Sequence, residues 1–538
     1  MNIFGLFLVF LTPMLGGFLY GFDIGATSFV LDMLLNPFVI SDKTVWWTEL
    51  SSTQQGLIVS GLSLGALIGS HIIFMYLSEK IGRRMELRLC SIFYIVGSIF
   101  NVMSGTIVKD SITLGFFSLF VGRLLYGIGV SFVMHGAPAY LAEMSPHKIR
   151  GAVVSAKETV IVGGIVVGYT VGNWVSKNPL NSWTNLYGIC GLLAIPMFVL
   201  TYYIPRSKRW LIMHGLNKEA YESMKFVYKG DICEGFESLA DSVLTGNLCR
   251  SNSINKGRHN KPSLFEPQYR KAVIASVGLI FFQQFSGQPS VLSYATVLFK
   301  AAGWSGNASV VSSVLMMMTS AVTVLLVERL GRKFLLCTCC IVMMISISAL
   351  SISFWGWDDT IEAESVGSSQ KYVILCSMFL YIAGYQIGFG PINWCIVSEI
   401  FPLEIRGKAI ALFVEMNYAL NFGVQFIIPI IKETLGWGRT FSLFGVILAF
   451  AFFFIRTYVP ETSGLTLEEI QDILNGEDLN DEEQCESTEE THLLEGVASS
   501  SSLFGAAWSL EEMENQIIRT NSGAWKLEEM DNSNKSRR

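Results

Sequence analysis

The chain has 538 residues, of which 51% are hydrophobic and only 15% charged, and its mean hydropathy is +0.45. Soluble globular chains carry about 25% charged residues, so this composition excludes a water-soluble enzyme or nucleic-acid binder. The formal net charge of −6 reflects acidic residues crowded near the C-terminus rather than a uniformly acidic surface.

Runs of roughly 20 apolar residues recur along the chain, each long enough to cross the hydrocarbon core as a helix that satisfies its own backbone. Twelve spans are predicted, at about 4–27, 54–77, 86–105, 113–138, 153–175, 184–204, 270–298, 308–327, 334–356, 372–396, 408–432 and 439–459. The first is too long for a signal-peptide core and contains Asp23, so it reads as a span rather than a cleaved leader. A carboxylate on an apolar helix costs several kcal/mol unless it pairs, meets water or takes a proton. Burial favours its neutral form and a nearby cation its charged form, so Asp23 is placed to load and release a proton. Arg123, which opens the fourth span, is its candidate partner. A structural cap on the first helix is the alternative role.

Charged phrases follow the second and fourth spans and recur in the same order later. "SEKIGRR" (78–84) returns as "VERLGRK" (327–333), and "YLAEMSPHKIRG" (140–151) as "IVSEIFPLEIRG" (396–407). Two repeated phrases divide the spans into two sets of six, the parallel-repeat logic of a transporter rocking about a central site. The predicted organisation is an N-terminal six-helix bundle at 1–204, a linker at 205–269, a second bundle at 270–460 and an acidic tail at 461–538. Lys and Arg cluster in the same loops, from Lys80 to Arg88, at Lys148 and Arg150, from Arg329 to Lys333 and at Arg406 and Lys408. The positive-inside rule then predicts cytosolic termini and a cytosolic linker. Topology needs no Glu, so Arg83, Glu143, Arg150, Arg332, Glu399 and Arg406 are read as a set of ion pairs forming a cytosolic gate.

Glu158 follows Arg150 by eight residues, about 12 Å deeper into the membrane at 1.5 Å per residue, with Lys157 beside it. His71 and His135 read as packed or gate-adjacent. The linker contains "NKEAYESMKFVY" (217–228), a candidate amphipathic helix, and a polar stretch at 251–263. In span seven, Gln283 and Gln284 lie six and five positions before Pro289. Amides donate and accept without charge, as a ring of hydroxyls requires. A proline within a span is tolerated where the helix breaks beside a cavity. "GFGPINW" (388–394) predicts a second break and presents Trp394, whose indole can stack and donate. Asn417 and Asn421 share a helix face two residues after the isolated acid Glu415. Paired amides also serve as interhelical glue, and a lone Trp as a belt residue. Asn307 heads a sequon, and Cys337, Cys339 and Cys340 read as apolar packing. The tail holds an "EETHLL" dileucine pattern (489–494) and the near-repeat "AWSLEEMEN" (507–515) and "AWKLEEMDN" (524–532), a possible tail-binding site for a partner protein.

These phrases, with "GRLLYGIG" (122–129), "QQFSGQPSVLSYA" (283–295) and "PETSGLTLEEI" (460–470), resemble the sugar porter branch of the major facilitator superfamily. The "YGFDIGATS", "KETVIVGG" and "QQFSGQPSVL" stretches are most similar to plant-type vacuolar glucose transporters and D-xylose–proton symporter-like proteins. The resemblance implies an all-α major facilitator fold of twelve helices in two pseudo-symmetric bundles. It implies proton-coupled monosaccharide transport by alternating access, with no cofactor, metal or catalytic residue. An Asp at position 23 implies coupling through Asp23 and Arg123, where uncoupled facilitators carry Asn. Sugar contact is implied for Gln283, Gln284, Trp394 and Asn417, and for Tyr20, Tyr294 and Asn421. Glu158 replaces the usual Gln, as an acceptor or second proton site. Arg206 in "PRSKRWL" (205–211), Pro289 and Met316 depart from the family pattern. Expected partners are the sugar, protons and a lipid bilayer, with no nucleic acid, for a monomeric unit in a plasma or vacuolar membrane. An uncoupled facilitator is the alternative; a non-transporting sensor signalling through its tail is a third reading.

Overall fold

The computed structural model describes residues 3–35, 46–77, 80–145, 150–177, 183–227, 264, 266–355, 368–462 and 469. Among them every regular element is helical. The first half holds α1 (Ile3–Leu35), α2 (Ser52–Ile72), α3 (Arg83–Thr106), α4 (Ile112–Met144), α5 (Arg150–Ser176) and α6 (Thr184–Tyr203). A π-helical turn, Ile73–Leu77, continues α2. Two short helices follow, α7 (Lys208–Met213) and α8 (Asn217–Val227). The second half holds α9 (Arg270–Phe285), α10 (Gln288–Ser293), α11 (Ala295–Ala301), α12 (Asn307–Leu330), α13 (Arg332–Ser353), α14 (Ser368–Ile387), α15 (Ile392–Ile400) and α16 (Leu403–Tyr458).

Nine helical stretches among the described residues are long and apolar enough to cross a membrane. The longest contains two spans, because Gly436 at φ 76° and ψ 166° interrupts α16. The run α9–α11 and the helix α12 complete the twelve. The expected breaks are present: Gly287, at φ 94°, separates α9 from α10, and residues 388–391 separate α14 from α15. A positive φ is open to Gly and strained for other residues, which explains why the interruptions at 287 and 436 fall on glycine.

Within the first half, α1 packs on α5 at backbone distance. A methyl on Gly21 or Gly25 would strike the carbonyls of Ile161 or Ile165, and one on Gly164 or Gly168 those of Phe18 or Phe22. Small residues at fixed spacing allow this approach, which lipid tails alone would not drive. α3 packs on α4, while α13 packs on α14 and α16. The halves meet along α2 with α16, α5 with α12, and α1 with α10 and α11. The amphipathic reading of 217–228 is matched by α8, which buries Ala220, Ser223, Met224 and Val227. The stretch 251–263, the loop acids at 358–364 and the tail, apart from Glu461, Thr462 and Glu469, lie outside the described residues.

Candidate functional site

Asp23 lies inside the first half on α1, 0% exposed, and Arg123 on α4 is 2% exposed. The Arg123 Nη1 donates to both Asp23 oxygens at 2.8 Å, and its Nε donates to the Ile58 carbonyl on α2 at 3.3 Å. The guanidinium also lies 5.6 Å from the Tyr187 ring centroid on α6. The pair thus ties four helices together. Tyr126, one turn beyond Arg123, donates to the Leu19 carbonyl at 3.1 Å and stacks on Tyr94 at 4.3 Å between ring centroids. This is an ion pair inside protein rather than a carboxylate facing lipid.

The predicted amides converge in the second half. Gln284 Nε2 donates to Asn417 Oδ1 at 2.5 Å, and Asn421 Nδ2 donates to Gln284 Oε1 at 2.8 Å. Asn421 Oδ1 accepts from Gln425 Nε2 at 2.8 Å and from Ser63 Oγ at 2.6 Å. Ser63 is on α2, so the network crosses between the halves. Gln283 Nε2 donates to the Phe389 carbonyl at 2.8 Å and to the Tyr385 hydroxyl at 3.2 Å. The break at 388–391 exposes that carbonyl, so the broken helix serves the site directly. Gln283 Oε1 and the Tyr294 hydroxyl are buried without a hydrogen-bond partner in the structure. The glue reading is therefore realised for Gln284, Asn417 and Asn421, while Gln283 and Tyr294 retain capacity for a polyol. Tyr385, Gln425 and Ser63 were not singled out from the sequence. Gln425 extends the Asn417–Asn421 spacing by one more turn, a legible signal; Tyr385 and Ser63 carry none.

Glu158 behaves differently from the buried pair. Its side chain is 57% exposed and pairs with Lys157 at 3.0 Å, whereas Lys157 is buried. The two side chains diverge as adjacent helical residues do, yet still touch. Glu158 lies within electrostatic reach of Tyr20 on α1, Cys395 on α15 and Tyr418 on α16. Exposed, it has neighbours in both halves. Trp394 adjoins Cys395 on α15 and is half-buried, and Tyr20 is half-buried on α1. Tyr294 stands edge-on to Trp437 at 6.1 Å between centroids.

The repeated phrases form matching arrays at one end of the molecule. Arg83 Nε lies 3.6 Å from Glu143, and Arg332 Nη2 donates to Glu399 at 3.3 Å. Ser207 donates to Glu143, and Thr462 Oγ1 donates to Glu399 at 2.6 Å. Each pair joins helices of one half and not the two halves to one another. The arrays differ at one position. Glu461 accepts from the backbone N–H groups of Arg332 and Lys333 at 2.8 and 3.0 Å, capping α13. The corresponding Arg206 instead meets Glu219 on α8 at 3.4 Å. Arg406 donates through Nε to the Phe401 carbonyl at 3.1 Å and makes no pair with Glu399 in the structure. Arg150 opens α5, and its side chain lies outside those described. Glu86 was missed: fully buried, it lies 2.9 Å from Arg83 Nη1 and 3.0 Å from His135 Nδ1, which puts His135 beside the Arg83–Glu143 pair. His71 meets Glu415 at 3.6 Å across the halves, a partner the sequence did not name. The sequon residue Asn307 is engaged, accepting from Asn173 Nδ2 at 2.8 Å and Lys177 Nζ at 3.2 Å.

A family model described as "Sugar (and other) transporter" matches residues 9–474. The chain belongs to this sugar transporter family. It is 36% identical to D-xylose-proton symporter-like 2 of Arabidopsis thaliana over 86% of the chain and 90% of that protein. It is 30% identical to the glucose transporter GlcP of Staphylococcus epidermidis over 86% of the chain and 96% of that protein. Among solved structures, the inward-open xylose transporter XylE from E. coli superposes with a TM-score of 0.69 at 24% identity, covering 87% of this chain and 99% of that one. This sugar transporter family member is accordingly a multi-pass membrane protein with the major facilitator fold, and not an enzyme.

Proposed function

We propose that the protein is a proton-coupled transporter of monosaccharides such as glucose or xylose, working by alternating access. The observation that carries this reading is the sealed Asp23–Arg123 pair, on the helix that also carries Tyr20. A carboxylate bonded through both oxygens to one guanidinium holds its charge. Breaking the grip exposes a carboxylate in a low-dielectric interior, where taking a proton is the cheaper state. Proton uptake at Asp23 thus belongs to a different state of the cycle from the one seen. Arg123, when released, is free to engage elsewhere. The printed names of the relatives, a D-xylose-proton symporter-like protein and a glucose transporter, agree with this chemistry.

The sugar-binding reading places hydroxyls against Gln283, Gln284, Asn417, Asn421 and Tyr294, with Trp394 and Tyr20 as aromatic surfaces. Glu158 adds an acceptor from the opposite half. The bundles 1–204 and 270–460 are read as the moving bodies, and the Arg83–Glu143 and Arg332–Glu399 arrays as the cytosolic gate with Arg150 and Arg406. Both termini then face the cytosol. Symport or antiport follows from which membrane holds the protein.

Purified protein in liposomes provides the test. A pH gradient should drive a neutral sugar well above its equilibrium distribution. Asp23→Asn should leave counterflow intact while accumulation falls to an inside-to-outside ratio of about 1, because no proton is then obliged to move. Undiminished accumulation by Asp23→Asn would make the pair a structural staple and end the coupling claim.

A further inference from the structure

The predicted first span ends near residue 27, but α1 continues to Leu35 and carries a second acid, Asp32, only 1% exposed. Its Oδ2 accepts from Lys300 Nζ on α11 at 2.5 Å. The pair therefore joins the halves, at the end remote from the charged phrases. One turn earlier, Ser28 Oγ donates to Thr296 Oγ1 at 3.0 Å and accepts from the Thr296 N–H at 3.1 Å. Ser309 on α12 donates to the same Thr296 hydroxyl at 3.3 Å, and Tyr169 on α5 donates to the Leu292 carbonyl at 2.8 Å. Ser28 faces Thr296 and Asp32 faces Lys300 in one register, so α1 and α11 close face to face.

We propose that Asp32 and Lys300 form an electrostatic lock on this seam, holding the far end of the passage shut and parting each time the protein opens there. The lock rests on the alternating-access reading above and adds the residues that bias it. Opening this end must separate α1 from α11. That step strips a buried carboxylate of its cation, which is costly unless water enters with it. The serine and threonine bonds are weaker and are readily replaced by water. α11 is also the element built to move: it is a separate helix, preceded by the Gly287 turn and by the interruption at Tyr294. Lys300 is 42% exposed, so its ammonium can pass to water when the pair parts.

Ser290 reports on the lock. It lies on α10, deeper than the seam, and is 3% exposed. Ser290→Cys is placed in a full-length background whose other cysteines are Ser, except the buried Cys90, Cys190, Cys339 and Cys340. In proteoliposomes, modification by a membrane-impermeant maleimide is timed. Asp32→Asn and Lys300→Met should each accelerate labelling at least fivefold. Lys300→Arg, and the exchange Asp32→Lys with Lys300→Asp, should stay within about twofold of the parent. Labelling unchanged in both single neutral variants, or as fast in the exchange and in Lys300→Arg as in Lys300→Met, would overturn the lock. Because labelling needs no sugar or pH gradient, failure of the coupled-transport reading would show separately, as absent accumulation in the parent.

Discussion

At the scale of the residue, the amides divide by which of their ends are engaged. Gln284 is engaged at both ends, by Asn417 and Asn421. Gln283 uses only its nitrogen, on Tyr385 and Phe389, and keeps a buried oxygen without a partner. An acceptor left in that condition costs about 1–3 kcal/mol, which a sugar hydroxyl recovers on binding. Tyr385 holds the amide in the orientation that presents this oxygen. Removing its hydroxyl by Tyr385→Phe forfeits one hydrogen bond of about 0.5–1.5 kcal/mol. The half-saturating sugar concentration should therefore rise about 2- to 10-fold, with the maximal rate within twofold of the parent. Uptake kinetics in liposomes measure both; an unchanged half-saturation would remove Tyr385 from the site.

At the scale of the element, the two halves offer an internal comparison. Residues 205–207 (Pro-Arg-Ser) correspond to 460–462 (Pro-Glu-Thr). Ser207 and Thr462 do the same work, each donating to the Glu of its own charged array. Both α13 and α3 have a glycine at the N-cap, Gly331 and Gly82, with no side-chain cap of their own, but at α13 Glu461 accepts from the first N–H groups, where the helix dipole favours an anion. Arg206 brings a cation toward Arg84 instead, and its contact with Glu219 is a half-exposed pair of little worth. Arg206→Glu should thus stabilise the protein by about 0.3–1 kcal/mol, seen as a higher midpoint of thermal unfolding in detergent. A lower midpoint would mean that the Glu219 contact to α8 outweighs the cap. This symmetry was legible in the repeated phrases, as were the spans, because apolar runs of membrane length permit little else. Helix ends were not. α1 runs on to Leu35 through an apolar stretch interrupted only by Asp32, which is paired with Lys300, and α16 passes through Gly436 without a loop. The amide types were also legible, but not their partners, since Ser63 and Tyr385 are reached only by folding distant helices together.

At the scale of the whole molecule, the seam of α1 and α5 against α10–α12 closes at one end, while α2 and α16 stay joined through Ser63–Asn421 and His71–Glu415. Ser28–Thr296, Asp32–Lys300, Tyr169–Leu292 and Asn173–Asn307 all lie toward the C-terminal ends of α1 and α5. The charged arrays at the opposite end stay within their own halves. Between these ends, Glu158 is exposed at a depth of about 12 Å from Arg150, which a membrane interior allows only beside water. Cys395 is exposed on α15 within electrostatic reach of Glu158, so it borders the same passage from the other half. An impermeant thiol reagent should therefore modify Cys395 from the side that carries the charged phrases, and not from the other. Cys395→Ser should abolish that fraction of labelling. Because Trp394 is the adjacent residue, a transported sugar should slow the reaction severalfold, whereas a sugar the protein does not carry should leave it unchanged. Reaction from the far side alone would reverse the orientation of the open passage, and reaction indifferent to every sugar would detach Trp394 from the binding site.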